Sequence, residues 1–322
     1  MTLPAIGISL GDPGGIGPEV VLKALAAPSL LPEARFIVFG DRRLWDAERA
    51  SLGLHLEVQV HKGDTVSSAP GLYFNDIGAM PGDVVRGGAS AGNGKSSFLA
   101  FEKAVELAGR GILDAVVTAP VSKTSWRLAG LSWRGHTEYL DSLYPGAIMT
   151  FWSERLKVAL LSHHIPLTEA LGRVRKGVLL DFFRALHRSL AGVRSGVEEL
   201  LVAGLNPHAG EDGLLGGEET TEIQPAIEAA AKEGIPVSGP FPPDTVFLKA
   251  LDRPEKIVVA MSHDQGLVAF KLVAFETGVN ATLGMPFIRT SPDHGTAYDI
   301  AGKGAADPRS LIAAIRMAVE LS

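Results

Sequence analysis

The chain has 322 residues, of which 46% are hydrophobic, and it carries a formal net charge of −6 at pH 7. A chain of this length buries a large core and is expected to form two domains, and its acidic balance argues against nucleic-acid or anionic-membrane partners. It has no cysteine, which excludes disulfides and thiolate metal ligands, so any metal must be held by histidine and carboxylate side chains. No apolar run approaches the roughly 18 residues of a membrane span, and we expect a cytoplasmic location.

Strand and helix signals alternate along the chain. Short apolar runs bounded by turn residues indicate buried strands, and stretches with apolar residues at helical spacing indicate helices. The predicted strands are residues 5–10, 36–40, 54–60, 71–75, 115–119, 147–151, 157–161, 200–205 and 257–261. The predicted helices are residues 18–25, 96–108, 178–190, 221–232 and 310–321. This alternation predicts α/β layers around a mostly parallel sheet.

A glycine-rich loop, residues 11–19 with the sequence GDPGGIGPE, joins the first strand to the first helix. Its glycines allow the backbone to approach a ligand closely, and a helix N-terminus favours anions. The spacing differs from the dinucleotide-binding fingerprint, however, and Asp12 would repel a phosphate. The sequence therefore leaves two interpretations open, a tight structural turn and a cofactor-facing loop.

Residues 91–96, with the sequence AGNGKS, imitate the end of a phosphate-binding P-loop. The first glycine of that motif would fall on Ala89, and the preceding residues do not predict a strand. We therefore exclude nucleoside triphosphate hydrolysis.

Three histidines follow predicted buried strands, namely His164, His208 and His263. Because the carboxyl ends of parallel strands meet in one crevice, we expect these side chains to come together. Three neutral imidazoles with an open coordination position form a transition-metal site, whereas each alone is more typical of a satisfied polar residue. Neighbouring residues in an extended segment point in opposite directions, so we expect His163 not to bind the metal.

Further polar candidates lie elsewhere in the chain. His136 and Thr137 precede a predicted short helix that Thr137 is placed to cap, and His136 is open to binding a substrate oxygen or to satisfying local backbone. Lys271, Asn280 and Arg289 follow the third histidine and suggest an anionic substrate. Arg289 stands among apolar residues, and because burying an unpaired arginine is costly, we expect it to have a partner.

Taken together, these motifs resemble those of a known family, the 4-hydroxythreonine-4-phosphate dehydrogenases of pyridoxine biosynthesis, or PdxA family. The resemblance runs nearly end to end, through GDPGGIGPE, TAPVSK, GHTEYL, HHIPL, GLNPHAGEDG, PPDTVF, AMSHDQG, FKLVAFETGVNATLGMPFIRTSPDHGTA and DIAGKGAADP. This ordered set of motifs is specific for the family. It is less specific for the substrate, because the family includes relatives that act on similar phosphorylated or cyclic diols.

Two segments, GDPGGIGPEV and HGTAYDIAGKGAADP, also resemble the isopropylmalate and isocitrate dehydrogenases. That resemblance implies two α/β/α domains flanking a cleft, with both chain ends in one domain. We expect a first domain of residues 1–130 plus 276–322 on the cofactor side, and a second of residues 131–275 on the metal and dimer side. The resemblance also implies that His294, Gly295 and Thr296 contact the nicotinamide cofactor.

The family resemblance implies roles for the remaining candidates. The implied metal ligands are His164, His208 and His263. The implied substrate contacts are His136, Thr137, Lys271, Asn280 and Arg289. Asp244, in PPDTVF, matches an acid near the metal and is kept as an extra ligand or a base. The proton acceptor is left open among His136, Asp244 and Lys123.

The resemblance also implies the metal and the assembly. A histidine site favours zinc, cobalt or nickel on ligand softness, although family members also accept magnesium. The family is homodimeric with each active site built from both subunits, so a partner chain can supply the third histidine.

The implied reaction is the NAD- or NADP-linked oxidation of 4-phosphooxy-L-threonine at C3 to 2-amino-3-oxo-4-(phosphooxy)butanoate. This β-keto acid loses CO₂ to yield 3-amino-2-oxopropyl phosphate, a step in pyridoxal phosphate biosynthesis. The alternatives are a sister dehydrogenase of 4-phospho-D-erythronate or 4-phosphothreonate, a dehydrogenase of a related diol, and a metal- or phosphate-binding protein without catalysis. The sequence does not decide between NAD and NADP or name the native metal.

Overall fold

The computed structural model describes residues 3–63, 66–78 and 84–322. The chain divides into two compact units: unit 1 comprises Met1–Pro145 and Met285–Ser322, and unit 2 comprises Gly146–Gly284. These divisions lie later in the chain than the boundaries at residues 130 and 275 expected from the sequence. As a result His136 belongs to the same unit as Arg289.

The helices and strands follow one another in the order that the alternating pattern suggests. The first part of unit 1 contains β1 Ala5–Ser9, α1 Gly17–Leu25, β2 Arg35–Gly40, α2 Arg42–Ser51, β3 Gln59–Val60, β4 Gly71–Asp76, α3 Ala91–Gly109, β5 Ala115–Thr118, α4 Lys123–Leu128 and α5 His136–Leu143. Unit 2 contains β6 Ile148–Trp152, β7 Lys157–Leu160, α6 Leu167–Gly172, α7 Lys176–Ala191, β8 Glu199–Ala203, α8 Gln224–Lys232, β9 Val237–Phe241, α9 Val246–Ala250, β10 Lys256–Ala260, α10 His263–Ala274 and β11 Val279–Leu283. The chain then returns to unit 1 with β12 Ile288–Pro292 and α11 Arg309–Leu321. Short 3₁₀ segments cover Pro28–Leu30 and Pro207–Gly213, and a π-helical turn, Glu219–Ile223, precedes α8.

Unit 1 is built on a parallel sheet with the strand order β3-β4-β2-β1-β5-β12. Every residue of β1 is buried, as expected for a strand covered on both faces. A core cluster that includes Phe39, Phe101 and Trp126 packs beside this sheet. The burial of large aromatic side chains here stabilises the unit and gives a rigid support to the loops at the strand ends.

Unit 2 has a mixed sheet with the strand order β11-β6-β7-β10-β8-β9. Strands β7, β10, β8 and β9 are parallel to one another, whereas β6 is antiparallel to both β11 and β7. The β6–β7 pair is joined by a short hairpin closed by Ser153, whose backbone N–H and hydroxyl both donate to the Leu156 carbonyl. Such a short connection allows only antiparallel pairing.

Most predicted elements are confirmed, and the departures have local causes. The strand predicted at residues 54–60 shortens to β3. Helix α3 begins before residue 96, at Ala91, because Ser90 caps it by accepting from the Asn93 N–H at 3.1 Å. The segment AGNGKS is therefore helical, which agrees with the exclusion of a P-loop. Thr137 does not cap α5 as predicted: that helix starts at His136, and Gly135 occupies the cap position.

Strands β11 and β12 were not predicted, because each carries polar side chains inside a buried strand. All five residues of β12 are buried, including Arg289 and Thr290. A polar residue interrupts the apolar run that marks a buried strand, so the signal disappears. Within the described ranges, none of the helices is both long and apolar enough to cross a membrane.

Candidate active site

Arg289, on β12 of unit 1, lies in a buried polar cluster with Thr118 and His136. Its side chain is 4% exposed, and both its Nε and its Nη2 donate to the Thr118 hydroxyl, at 3.0 and 2.8 Å. Its Nη2 also lies 3.2 Å from Nδ1 of His136, the first residue of α5. Arg289 is thus buried with polar partners, as the sequence predicted.

The protonation of His136 follows from this geometry. A guanidinium has only donors, so Nδ1 of His136 accepts and the neutral ring carries its proton on Nε2. Burial, and secondly the charge of Arg289, hold the pKa of His136 well below its usual value, so the ring is neutral at pH 7. Burial also lowers the pKa of Arg289, to about 10, which leaves it charged. Nε2 of His136 is buried without a hydrogen-bond partner in the described structure, and it is therefore available to donate to a ligand oxygen.

The glycine-rich loop holds its own aspartate inside the protein. Asp12 is fully buried, and its carboxylate accepts from the Gly14 N–H at 2.8 Å, the Ser125 hydroxyl at 2.7 Å and the Tyr298 hydroxyl at 2.9 Å. Since these donors compensate its charge, Asp12 anchors the loop to the segments that contain Ser125 and Tyr298.

The same loop packs against the segment expected to contact the cofactor. The Ile16 N–H donates to the Thr296 carbonyl at 2.9 Å. A side chain at Gly15 would approach that carbonyl to 2.6 Å, and one at Gly14 would approach the Val85 carbonyl to 2.4 Å. The glycines therefore serve close packing of loops, which favours the structural interpretation of GDPGGIGPE over direct contact with a ligand.

Of the cofactor candidates, Gly295 is exposed, while His294 and Thr296 are half-buried. Nδ1 of His294 lies 3.1 Å from the Gly295 carbonyl, and its Nε2 is buried without a hydrogen-bond partner in the described structure. The position of these residues beside the first helix of unit 1 is compatible with a cofactor contact, which stays a prediction.

In unit 2, three strands that precede the candidate metal ligands are parallel neighbours, in the order β7-β10-β8. Val258 of β10 lies in register with Val158 of β7 and with Leu201 of β8. The prediction that these strand ends share one edge of a sheet is therefore confirmed. His164 follows β7, His263 begins the helix after β10, and His208 lies in the 3₁₀ segment after β8.

A single chain brings two of the three histidines together. The rings of His164 and His263 lie 5.6 Å apart between centroids. Two imidazoles on one tetrahedral metal, with metal–nitrogen bonds of about 2.0–2.1 Å, place their centroids about 5 Å apart, so this pair fits a shared metal. Across residues 3–63, 66–78 and 84–322, no group of three or more His, Asp or Glu side chains is assembled closely enough to hold a metal ion. The participation of His208 stays a prediction.

The backbone around these histidines is unusual. His164 and His208 have φ values of 49° and 53°, in the left-handed region that non-glycine residues rarely adopt. Such strain is typical of functional sites, where the surrounding structure maintains it. It also changes the position of His163. The segment is not extended there, and the ring centroids of His163 and His164 lie 5.3 Å apart. The two rings therefore do not point in the opposite directions that the sequence predicted.

Nδ1 of His263 lies 2.7 Å from a carboxylate oxygen of Asp264. An ionised carboxylate can only accept, so Nδ1 carries a proton, and in the neutral form of the ring Nε2 presents its lone pair. Metal-binding histidines commonly have a carboxylate in this position, because it orients the ring and increases its basicity.

Further candidates lie on other elements of both units. Lys271 lies on α10 and Asn280 on β11, where it is in register with Phe151, and both are half-buried. Asp244 is exposed shortly before α9. In unit 1, Thr137 is half-buried in the first turn of α5 and Lys123 is exposed at the start of α4. Their roles stay predictions.

Sequence reasoning missed several residues that support the site, among them Thr118, Ser125 and Tyr298. Thr118 ends β5 and is the first residue of TAPVSK, so its position at a strand end was a usable signal. Ser125 and Tyr298 meet Asp12 only through the fold, and no local pattern marks them.

Unit 1 also contains a cleft of about 630 Å³ between β4, α3 and α5. Its polar lining includes Asp76, Glu102, Glu106 and Tyr139. None of the predicted site residues lines it, so the cleft is separate from the Arg289 cluster.

Comparison with known proteins identifies close relatives over nearly the whole chain. The chain is 44% identical to a 4-hydroxythreonine-4-phosphate dehydrogenase of Desulforapulum autotrophicum, over 98% of this chain and 94% of the relative. It is 40% identical to a putative D-threonate 4-phosphate dehydrogenase of Oceanobacillus iheyensis, over 99% of this chain and 98% of the relative.

Solved structures also match this chain over nearly its whole length. A putative 4-hydroxythreonine-4-phosphate dehydrogenase of Salmonella typhimurium has a TM-score of 0.87 and 37% identity, covering 99% of this chain and all (100%) of that one. A β-decarboxylating dehydrogenase of Thermococcus kodakarensis, 16% identical, has a TM-score of 0.50 and covers 98% of this chain and 82% of that one. It shows the fold alone and confirms the predicted dehydrogenase-type α/β fold. Residues 32–318 match the family described as pyridoxal phosphate biosynthetic protein PdxA, and the chain belongs to that family.

Proposed function

We propose that this protein oxidises 4-phosphooxy-L-threonine at C3, with NAD⁺ or NADP⁺ as hydride acceptor and with a divalent metal. The product, 2-amino-3-oxo-4-(phosphooxy)butanoate, loses CO₂ to form 3-amino-2-oxopropyl phosphate in pyridoxal phosphate biosynthesis. The observation that carries the proposal is the end-to-end match to 4-hydroxythreonine-4-phosphate dehydrogenases. The buried Arg289–His136 pair supports it, because a desolvated cation beside a hydrogen-bond donor favours an anionic, oxygen-rich substrate.

In this proposal His136 binds substrate and does not accept the reaction's proton. Its Nδ1 is occupied by Arg289, and its Nε2 carries the ring proton, so the ring donates to a substrate oxygen. A depressed pKa also makes the ring a weak base. Asp244 and Lys123 are both exposed and remain the candidates for accepting the proton.

Oxidation breaks the C3–H bond, and its electron pair moves as hydride to the nicotinamide ring while the C3 hydroxyl proton passes to a base. In the resulting β-keto acid, the C1–C2 bond breaks, CO₂ leaves, and the electron pair is accepted by the C3 carbonyl before protonation at C2. The protein supplies position and electrostatics for both steps. Arg289 holds an anionic group of the substrate, most simply the phosphate, and His136 donates to a neighbouring oxygen.

We assign the metal to His164 and His263, with His208 as third ligand. The His164–His263 pair fits a shared metal, and imidazole ligands suit zinc or cobalt, with magnesium as a less preferred ion. When bound, such a metal supplies Lewis acidity that lowers the pKa of the substrate hydroxyl. Asp264 orients the His263 ring for this role.

We further propose that the protein is a homodimer and that the partner contributes to each active site. Helix α10 begins at His263, and an apolar stripe is exposed along the helix and at its C-terminal cap. The stripe consists of Val268, Leu272 and Phe275, whose exposed fractions are 62%, 85% and 74%. These residues recur at helical spacing, and a contiguous exposed apolar patch is typical of an interaction surface. A second copy that covers this stripe comes close to His263 and can supply the third ligand.

A second candidate substrate is 4-phospho-D-threonate or the related erythronate. The 40% identity to a putative D-threonate 4-phosphate dehydrogenase favours it. This substrate has a hydroxyl where 4-phosphooxy-L-threonine has an amino group, so the proposed metal and phosphate contacts are the same for both.

The test is an assay of metal-stripped enzyme with NAD⁺ or NADP⁺ and added Zn²⁺, Co²⁺ or Mg²⁺, following reduced cofactor by absorbance. Metal-dependent turnover with 4-phosphooxy-L-threonine, and little with 4-phospho-D-threonate or 4-phospho-D-erythronate, is the expected result. A preference for a phosphorylated sugar acid would replace the substrate and keep the hydride chemistry. No reduced cofactor from any of these substrates would overturn the proposed function.

A further inference from the structure

A continuous hydrogen-bonded path connects the three strand ends that lead to the candidate metal ligands. After β7, the Ser162 hydroxyl donates to the Met261 carbonyl at 2.7 Å. The Met261 N–H donates to the Gln265 side-chain oxygen at 2.7 Å, and the Gln265 side-chain nitrogen donates to the Gly204 carbonyl at 2.8 Å. The path therefore runs from the His164 segment through the His263 segment to the His208 segment.

Gln265 is the central member of this path. It lies in the first turn of α10, close to His263, and its side chain bonds to two different strand ends. Its orientation is determined by its partners, because a backbone N–H can only donate and a carbonyl can only accept. A leucine cannot make either bond, and a glutamate can make only the first.

The His208 segment is held firmly beyond Gly204. The carboxylate of Glu219, 4% exposed, accepts from the backbone N–H groups of Leu205 and Asn206, both at 2.7 Å. From His208 to Asp212 every residue then has positive φ, which is an unusual run. A displacement at Gly204 therefore passes to His208, because the segment between them is fixed by these bonds and has little freedom to adjust.

We propose that Gln265 is a positioning residue of the metal site: its side-chain amide fixes the spacing between the strand end that leads to His208 and the strand end that carries His263. The inference rests on the proposed function, in which these histidines bind a divalent metal. A metal tolerates only small errors in ligand position, and residues that orient the ligands commonly affect affinity about 10–100-fold. Both hydrogen bonds of the Gln265 side chain lie within one chain, so they act whichever subunit supplies the third ligand.

The test compares Gln265→Glu and Gln265→Leu with wild type, and uses Gln224→Leu on α8 as a matched control. The side-chain amide of Gln224 donates to the neighbouring Glu228 side chain at 3.1 Å. Gln265→Glu retains the acceptor for the Met261 N–H but directs a carboxylate oxygen at the Gly204 carbonyl. It therefore breaks the hydrogen bond to Gly204 and keeps the volume of the side chain. Metal-stripped protein is titrated with Co²⁺, and both the dissociation constant and the visible absorption spectrum are measured.

We expect Gln265→Glu to weaken Co²⁺ binding by about 10–100-fold and to change the absorption spectrum, and Gln224→Leu to match wild type. Without metal, the amides of residues 204–208 should exchange with deuterium faster in Gln265→Glu than in wild type. Thermal denaturation identifies a variant that has lost its fold, and Gln265→Glu decides the question if Gln265→Leu does not fold.

Two outcomes overturn the inference in distinguishable ways. If wild type binds Co²⁺ and Gln265→Glu binds it with the same affinity and spectrum, Gln265 does not position the ligands and the proposed function is unaffected. If wild type does not bind Co²⁺, Zn²⁺ or Mg²⁺, the metal part of the proposed function fails and this inference fails with it.

Discussion

Nη2 of Arg289 lies 3.2 Å from Nδ1 of His136, and both side chains are buried although 153 positions separate them in the sequence. Burial, and secondly the charge of Arg289, lower the pKa of His136 and keep the imidazole neutral, and the contact decides which of its nitrogens carries the proton. In the proposed function, this pair of side chains binds an anionic group and a neighbouring oxygen of the substrate. Thr118 completes the arrangement by accepting two hydrogen bonds from the same guanidinium.

Replacing Thr118 by valine tests this arrangement. The substitution preserves shape but removes the oxygen that accepts from Nε and Nη2 of Arg289. We expect KM for the phosphorylated substrate to rise about tenfold and the free energy of unfolding to fall by about 1–3 kcal/mol, because charged donors lose a buried acceptor. Steady-state kinetics and urea denaturation measure the two effects.

The control is Thr150→Val, which removes another fully buried hydroxyl, one that donates to the Ala281 carbonyl in unit 2. It should lower stability and leave KM unchanged. An unchanged KM in Thr118→Val would mean that the Arg289 side chain does not bind the substrate.

Replacing His136 by asparagine should change how stability depends on pH. The pKa of His136 is well below 6.5 in the folded protein, so near and below pH 6.5 the unfolded chain binds more protons. The wild type therefore keeps this contribution above pH 6.5 and loses stability as the pH falls from there towards the folded pKa. His136→Asn should lose stability less steeply in that range. Urea denaturation between pH 8 and pH 5 measures the free energy of unfolding of both proteins as a function of pH. Parallel curves would refute the lowered pKa of His136. The same substitution at the exposed His55 is the control.

Replacing Asp264 by asparagine should weaken metal binding. The carboxylate at 2.7 Å from Nδ1 of His263 orients the ring and raises its basicity, and its removal should raise the dissociation constant for Zn²⁺ or Co²⁺ about tenfold. Its side chain is exposed, so stability should change by no more than about 0.5 kcal/mol. Competition with a chromophoric chelator measures the affinity, with Glu320→Gln on the exposed side of α11 as control. Wild-type affinity in Asp264→Asn would remove this carboxylate from the site.

Replacing Leu272 by glutamate should dissociate the dimer. A charge in the middle of the α10 stripe would be buried unpaired when a second copy covers it, and that is costly. Light scattering coupled to gel filtration should show a dimer for wild type and a monomer for Leu272→Glu. Leu214→Glu, at a site that is 82% exposed outside the stripe, should remain dimeric. If Leu272→Glu keeps the wild-type mass, α10 is not the dimer surface.

Replacing Tyr298 by phenylalanine should weaken cofactor binding. The substitution removes one of the donors to Asp12 and loosens the segment that contains His294 and Thr296. We expect KM for NAD⁺ to rise severalfold, about the effect of one lost hydrogen bond, with kcat little changed. Steady-state kinetics measure KM for NAD⁺ and kcat, and fluorescence titration measures the affinity for NADH. Tyr73→Phe removes a comparable bond, to the Ala69 carbonyl, and should not affect KM for NAD⁺; equal effects of the two would contradict a cofactor role for the 294–298 segment.

The part of the fold that was predictable from sequence is the part with a local signature. The strands before His164, His208 and His263 appear as short apolar runs, because both faces of a parallel strand are buried. The rule that parallel strands end at one edge then placed the three histidines at that edge, and the order β7-β10-β8 confirms it. The amphipathic spacing of α7 and α11 was equally visible, and the expectation that buried Arg289 needs a partner followed from the cost of burying a charge.

Only the tertiary structure decided which partners these residues have. Thr118 and His136 meet Arg289, Tyr298 meets Asp12, and Gln265 joins Met261 to Gly204, and each pair except Gln265–Met261 is distant in sequence. Such contacts depend on strand order and loop path, which no periodic pattern records. The left-handed backbone at His164 and His208 is likewise seen only in the folded chain. The sequence by itself determined the family, the layered fold and the residues available for chemistry, because these follow from residue type and spacing. Hydrogen-bond partners, tautomers and ligand spacing were decided by the folded chain, because they depend on distances between remote segments.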